Sequence, residues 1–144
     1  MIQSIPLRSL LYLKWTEANE HQINLTINTN GDIALPPTID MMGLIRCLGI
    51  LLDNALFATQ EIHYQKFDLL VMQDRGTIQF TVSNAVGNEF NLRDLIQDGF
   101  STKGSGHGNG LMNLRQIIAH NPQFSFTQLV EDHQLSMSII IQGE

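Results

Sequence analysis

Leu51-Leu52-Asp53-Asn54-Ala55-Leu56-Phe57-Ala58-Thr59 sets one polar pair into an otherwise apolar helical run. Further along, Gly99-Phe100-Ser101-Thr102-Lys103-Gly104-Ser105-Gly106-His107-Gly108-Asn109-Gly110-Leu111 is a glycine-dense loop that opens directly into a second helix. On the first helix Leu44, Leu48, Leu51, Leu52 and Ala55 supply a core-facing stripe, which leaves Asp53 and Asn54 toward its edge. An amide oxygen at Asn54 can complete the oxygen shell of Mg²⁺, a cation that prefers water, phosphate and one or two protein ligands. In the loop, the glycines at 104, 106, 108 and 110 let backbone N–H groups approach phosphate oxygens that side chains would block. Leu111 opens a helix whose free N–H groups and dipole favour an anion. Lys103 adds a positive charge on a long stem, and Ser101 and Thr102 add hydroxyl donors.

Each segment alone has a plainer explanation. The polar pair suits the exposed rim of a core helix, and glycine with serine often marks a linker. A linker explains neither Phe100 nor the amphipathic helix that follows at once. The loop is not a P-loop, because no GxxxxGK[ST] follows a strand. Nor is it a dinucleotide fingerprint, since its glycines are spaced by one and lack the βαβ setting.

The 144 residues carry a net charge of −6, with 43% hydrophobic and 15% charged residues. That is a globular composition with room for one core. An acidic chain without a Lys/Arg cluster argues against nucleic acid or an anionic membrane surface as partner. Cys47 is the single cysteine, so no internal disulfide is possible, and its apolar helical surroundings make it a small buried hydrophobe. The first residues lack the regions of a secretory signal. Arg46, Asp53 and Asn54 interrupt the longest apolar stretch, Leu44 to Phe57, which argues against a membrane span. The expectation is one domain of cytosolic character.

Periodicity supplies the elements. Leu7 to about Glu20 reads as a helix with Leu7, Leu10, Leu11, Leu13 and Trp15 apolar and Pro6 in its first turn. Ile23 to Ile27 alternates as a strand before an Asn30-Gly31 turn. Pro36-Pro37 ends the extended region, and Thr38 or Asp40 caps a helix running to about Gln60. Phe67 to Gln73 and Thr77 to Ser83 flank Asp74-Arg75-Gly76 as a hairpin. A short helix fits Leu92 to Gln97. Leu111, Leu114, Ile117 and Ile118 give a last helix that stops at Asn121-Pro122, followed by strands over Phe124–Val130 and Leu135–Ile141. The pattern predicts an α+β fold, a two-layer sandwich of helices on a largely antiparallel sheet.

In this order and at this spacing, the two opening segments resemble the N-box and the F-box/G2-box of the GHKL ATP-binding fold. Histidine kinases, gyrase-type topoisomerases, Hsp90 and MutL share that fold. The resemblance covers nearly the whole chain and implies a Bergerat-type sandwich with a mixed, mostly antiparallel sheet. ATP and Mg²⁺ would sit between the Asn54 helix and the loop, which would act as a lid. Asn54 would hold the metal, and Asn54 and Lys103 would carry the chemistry. Phe100, Ser101, Thr102, Gly104, Gly106, His107, Gly108, Gly110 and Leu111 would contact the nucleotide. Between the two segments the family places a DxGxG element whose aspartate binds the adenine amino group. The matching stretch here is Val82-Ser83-Asn84-Ala85-Val86-Gly87-Asn88, with Asn84 in place of the aspartate and the second glycine missing. The Asn84 amide oxygen still accepts from an exocyclic N–H₂, but as a neutral group it makes a weaker bond.

A strand ending in Ser-Asn, then Phe-Ser-Thr-Lys-Gly, then Gly-Asn-Gly-Leu-x-Asn-Leu-Arg is similar to peptide-pheromone quorum-sensing histidine kinases of the AgrC, ComD and BlpH type. Ile5-Pro6-Leu7-Arg8-Ser9-Leu10-Leu11 resembles the segment that joins their dimerisation helices to the ATP domain. By that likeness residues 1–6 are a linker remnant and 1–144 one catalytic domain. It would be the cytoplasmic part of a membrane-anchored receptor, without membrane contact of its own. Its partners would be a separate dimerisation domain carrying the acceptor histidine, and a response regulator.

The five histidines, at 21, 63, 107, 120 and 133, fall inside the ATP domain rather than on an upstream dimerisation helix, and their spacing suggests no metal site. His107 stands where relatives often have Arg; phosphate contact and solvent exposure both suit it. GHKL hydrolases carry a water-activating glutamate one helical turn before the N-box asparagine, and this chain has Ile50 there. A rival reading keeps the fold but makes the chain a degenerate partner-binding module with weak or no ATP turnover. The altered adenine element is its support.

Overall fold

The structure, a computed structural model, describes residues 1–87 and 110–143. In chain order the elements are α1 (Ile5–Glu20), β1 (Asn24–Thr29), α2 (Met41–Glu61), β2 (Lys66–Asp74), β3 (Thr77–Ala85), α3 (Gly110–Ala119), β4 (Phe124–Glu131) and β5 (Gln134–Gln142). The short helix expected over Leu92 to Gln97 lies outside the described residues. The strands form one sheet in the order β1-β2-β3-β5-β4. Only β1 and β2 run parallel, with α2 as their crossover; the other pairs are antiparallel. This is the α+β sandwich that the sequence pattern predicts.

Turn chemistry fixes the two hairpins. Asp74 pairs with Thr77, so Arg75 and Gly76 form a two-residue loop with φ of 53° and 83°. Two positive φ angles define the turn whose twist matches that of the strands. Asp132 and His133 close the β4–β5 hairpin in the same way, at 54° and 61°, without any glycine. That turn carries no dipeptide signal, which is why its strands are readable from sequence and its geometry is not.

Strand alternation then builds the core. Phe67, Leu69 and Val71 of β2, Ile78, Phe80 and Val82 of β3, and Leu135, Met137, Ile139 and Ile141 of β5 are all buried. They stand opposite one another in register, so they share one face. The other face carries hydroxyl pairs, Thr81 with Ser138 at 2.8 Å and Ser83 with Ser136 at 2.9 Å.

The helices cover the apolar face. Asp40, rather than Thr38, caps α2, its Oδ1 accepting from the Gly43 N–H at 3.0 Å. Asp40 Oδ2 also accepts from Asn121 Nδ2 at 3.1 Å, which ties the start of α2 to the end of α3. Gly43, Leu44, Cys47, Leu48, Leu51, Leu52, Ala55 and Thr59 form the buried side of α2. By length and composition alone this helix passes as a bilayer span, despite its charged interruptions. Its packing against β2, β3 and β5 is that of a core helix. Cys47 is fully buried, and burial followed by the charge of Asp40 pushes its thiol up to about 11. On α1 the buried stripe is Leu7, Leu11 and Ala18, whereas Leu13 and Trp15 are exposed. Apolar and polar residues are mixed around that helix, so composition does not reveal which side faces inward.

Candidate functional site

Asn84 interrupts the buried face of the sheet. It follows Ile78, Phe80 and Val82 in the inward alternation of β3, and its register partners are Phe67 and Leu135. Only 1% of it is exposed. Its Nδ2 donates to the carbonyl of Ala85 at 3.1 Å, which turns Oδ1 the other way. That oxygen is buried and has no hydrogen-bond partner among the described residues. A buried acceptor left unsatisfied costs about 1–3 kcal/mol, which makes Asn84, like Gln128 on β4, a position where a ligand or water would be stabilising.

Asn54 occupies a different setting. It is half-buried at the edge of α2, one residue after exposed Asp53 and flanked by buried Leu51, Leu52 and Ala55. Across from it begins α3. A Cβ on Gly110 would stand 3.3 Å from Ile50 Cγ2 and 4.0 Å from Asn54 Oδ1. Glycine therefore leaves a gap smaller than a methyl group beside Ile50, with the Asn54 amide at the edge of contact distance. Leu111 follows and is buried, so α3 is pinned to the core immediately after this gap. The Asn54 helix and Gly110 at the start of α3 thus lie side by side.

Phe100, Ser101, Thr102, Lys103, Gly104, Gly106, His107 and Gly108 lie outside the described residues. Among the residues predicted for the site, Asn54, Asn84, Gly110 and Leu111 are described. Asn84 is placed on the helix-facing side of the sheet, beneath the layer to which α2 and α3 belong. Ile50 is the α2 residue in contact range of Gly110, one turn before Asn54.

Sequence reasoning missed one residue. Lys14 lies on the buried stripe of α1, in line with Leu7, Leu11 and Ala18, and its side chain is 14% exposed. It reaches Asp53, the neighbour of Asn54, at 2.8 Å. A lysine at a core-facing helical position was the available signal.

The donor set has a consistent chemistry. An orphaned amide oxygen at the end of β3 has the chemistry to accept a hydrogen bond from an N–H or O–H donor. A second amide beside the start of a helix, where glycine keeps side-chain bulk away, suits a phosphate and its cation.

Residues 39–142 match the family of GHKL domains, and the chain belongs to that family. The fold is also that of solved histidine kinase catalytic domains. One nucleotide-free form of the catalytic domain of histidine kinase ThkA superposes with a TM-score of 0.77 at 18% identity, over 96% of this chain and 90% of that one. Another form gives 0.74 at 16% identity over the same shares. The Acinetobacter baumannii histidine kinase AdeS gives 0.71 at 14% identity, over 96% of this chain and 64% of that one. No protein of curated function matches the sequence closely enough to add an assignment.

Proposed function

We propose that this chain is the catalytic and ATP-binding domain of a two-component histidine kinase. In that reading it binds ATP with Mg²⁺ and delivers the γ-phosphoryl group to a histidine on a separate dimerisation domain. The observation that carries it is the buried, unpartnered Oδ1 of Asn84 on an otherwise apolar sheet face. That acceptor suits the exocyclic amine of adenine, and Ala85 holds it in the accepting orientation. In this reading the phosphates lie near the start of α3, where Gly110 keeps side-chain bulk away from Asn54, whose amide would hold the cation. Mg²⁺, when bound, neutralises charge on the phosphates. Phosphoryl transfer asks the protein mainly for positioning and electrostatic stabilisation. Lys103, with Ser101 and Thr102, supplies the donors that the sequence places in the glycine segment.

The acceptor histidine and the response regulator belong to the same reading, as does a cytoplasmic location within a membrane-anchored receptor. So does the pheromone-receptor subfamily, whose support is the Ser83-Asn84 strand end and the Gly108-Asn109-Gly110-Leu111 run. Against a degenerate partner-binding module stands the stability cost of Asn84, since leucine would serve such a module better.

Calorimetric titration with ATP, with and without Mg²⁺, tests binding; γ-labelled ATP with acid-labile phosphate detection tests transfer. The chain alone should remain unlabelled, whereas an added dimerisation domain with its histidine should take label. Absence of ATP binding, or stable label on any of the five histidines, would overturn the reading.

A further inference from the structure

Two adjacent residues of α2 are held by different helices. Asn54 stands across from the start of α3 at Gly110, while Asp53 is tied to α1. Lys14 Nζ donates to Asp53 Oδ1 at 2.8 Å and pairs with Glu17 Oε1 at 3.1 Å. Neighbours on a helix point about 100° apart, so one residue can serve the α1 contact and the next the α3 contact.

An ion pair between two exposed side chains contributes little. Here the Lys14 side chain, stem included, is only 14% exposed, while Asp53 remains 54% exposed and water reaches the pair. Burial by itself lowers the Lys14 pKa; hydrogen bonds and charge from Asp53, and then from Glu17, outweigh it and leave the pKa raised. The cation is therefore fixed in place and has two carboxylates to satisfy it.

Asp53 needs such a partner. A carboxylate next to Asn54 has the wrong sign for a triphosphate, and its oxygens compete for a hard cation. We propose that Lys14 is a positioning residue for the nucleotide site: it anchors and neutralises Asp53 on the α1 side of α2, leaving Asn54 to face Gly110. The inference rests on the nucleotide reading and adds to it a contact from α1. Displacement of α1 relative to α2 would act on the helical turn that bears Asn54.

The test is calorimetric titration of the whole chain with a non-hydrolysable ATP analogue and Mg²⁺, each variant checked by thermal melting. Lys14→Met should weaken binding about tenfold, the scale of one uncompensated charge near a bound anion. Adding Asp53→Asn in the same chain should restore most of the affinity, because it removes the charge that Lys14 controls. Lys14→Arg should bind as the wild type does. A structural role alone would leave the double variant as weak as Lys14→Met, and that result overturns the inference. Affinity of Lys14→Met within about twofold of wild type overturns it as well. Should Lys14→Met fail to fold, Lys14→Gln keeps the stem and a donor without the charge: weakened binding supports the inference, and wild-type affinity refutes it. Failure of the wild type to bind refutes the nucleotide reading itself; wild-type binding with an unimpaired Lys14→Met refutes only this inference.

Discussion

Asn84 and Asn54 carry the same side chain in opposite surroundings. Asn84 is sealed into an apolar sheet face between Phe67 and Leu135, with its oxygen unsatisfied. Asn54 sits half-buried on a helix edge, opposite a gap kept open by Gly110. The first amide costs stability unless something binds it. The second lies where water and ions can reach, so its value is geometric. On the proposed reading, one site built this way would read a ligand amine at its deep end and handle phosphate charge at its mouth.

The contrast predicts opposite responses. Asn84→Leu should raise thermal stability, because it removes an unsatisfied acceptor worth about 1–3 kcal/mol. The same change should weaken ATP binding by about thirtyfold or more, the equivalent of ~2 kcal/mol. Calorimetry beside a thermal melt reads both, and a destabilised variant with intact affinity would make Asn84 a structural residue. Asn54→Ala should cost about 1–3 kcal/mol of Mg²⁺-dependent affinity. Titrations with and without the metal should then coincide; a surviving metal dependence would remove Asn54 from the cation site.

Gly110→Ala should have a smaller effect. Alanine favours a helix by up to about 1 kcal/mol over glycine, yet its Cβ would meet Ile50 and enter the gap before Asn54. The expected outcome is unchanged or higher stability with roughly three- to fivefold weaker nucleotide binding, ~1 kcal/mol by calorimetry. Smallest of all should be hydrolysis. Ile50 stands where a hydrolase would carry its base, and Asp53 is occupied by Lys14. A coupled phosphate-release assay should show slow turnover, and vigorous turnover abolished by Asp53→Asn would make the protein a hydrolase.

Much of this is legible in the sequence because it rests on period and turn chemistry. The alternation of β2 and β3 and the Arg75-Gly76 turn specify their hairpin. Leu44, Leu48, Leu51, Leu52 and Ala55 specify the buried side of α2, and with it the edge position of Asn54. Gly110 is recognisable as a helix start, but not that its missing side chain faces Ile50 and Asn54. Asn84 shows the same limit. Its residue type suggests adenine recognition, whereas its orphaned oxygen depends on strands that close around it from β2 and β5. The face of α1 is hardest to read. Apolar and polar residues are mixed around that helix, and the inward side is decided by contacts with α2 and β1. Lys14 on that side is a conflict between local polarity and burial that only a partner from another element resolves.

The most direct test of a single site with a deep amine end and a phosphate mouth is nuclear magnetic resonance of the side-chain amides. ATP added without metal should shift the Asn84 Nδ2 resonances and the backbone amide of Val86. Mg²⁺ added next should shift Asn54 and the amides at the start of α3, including Gly110. Resonances of Thr81 and Ser83, on the far face of the sheet, should stay in place. An unperturbed Asn84 amide at saturating ATP, or shifts confined to the Thr81–Ser83 face, would contradict the account.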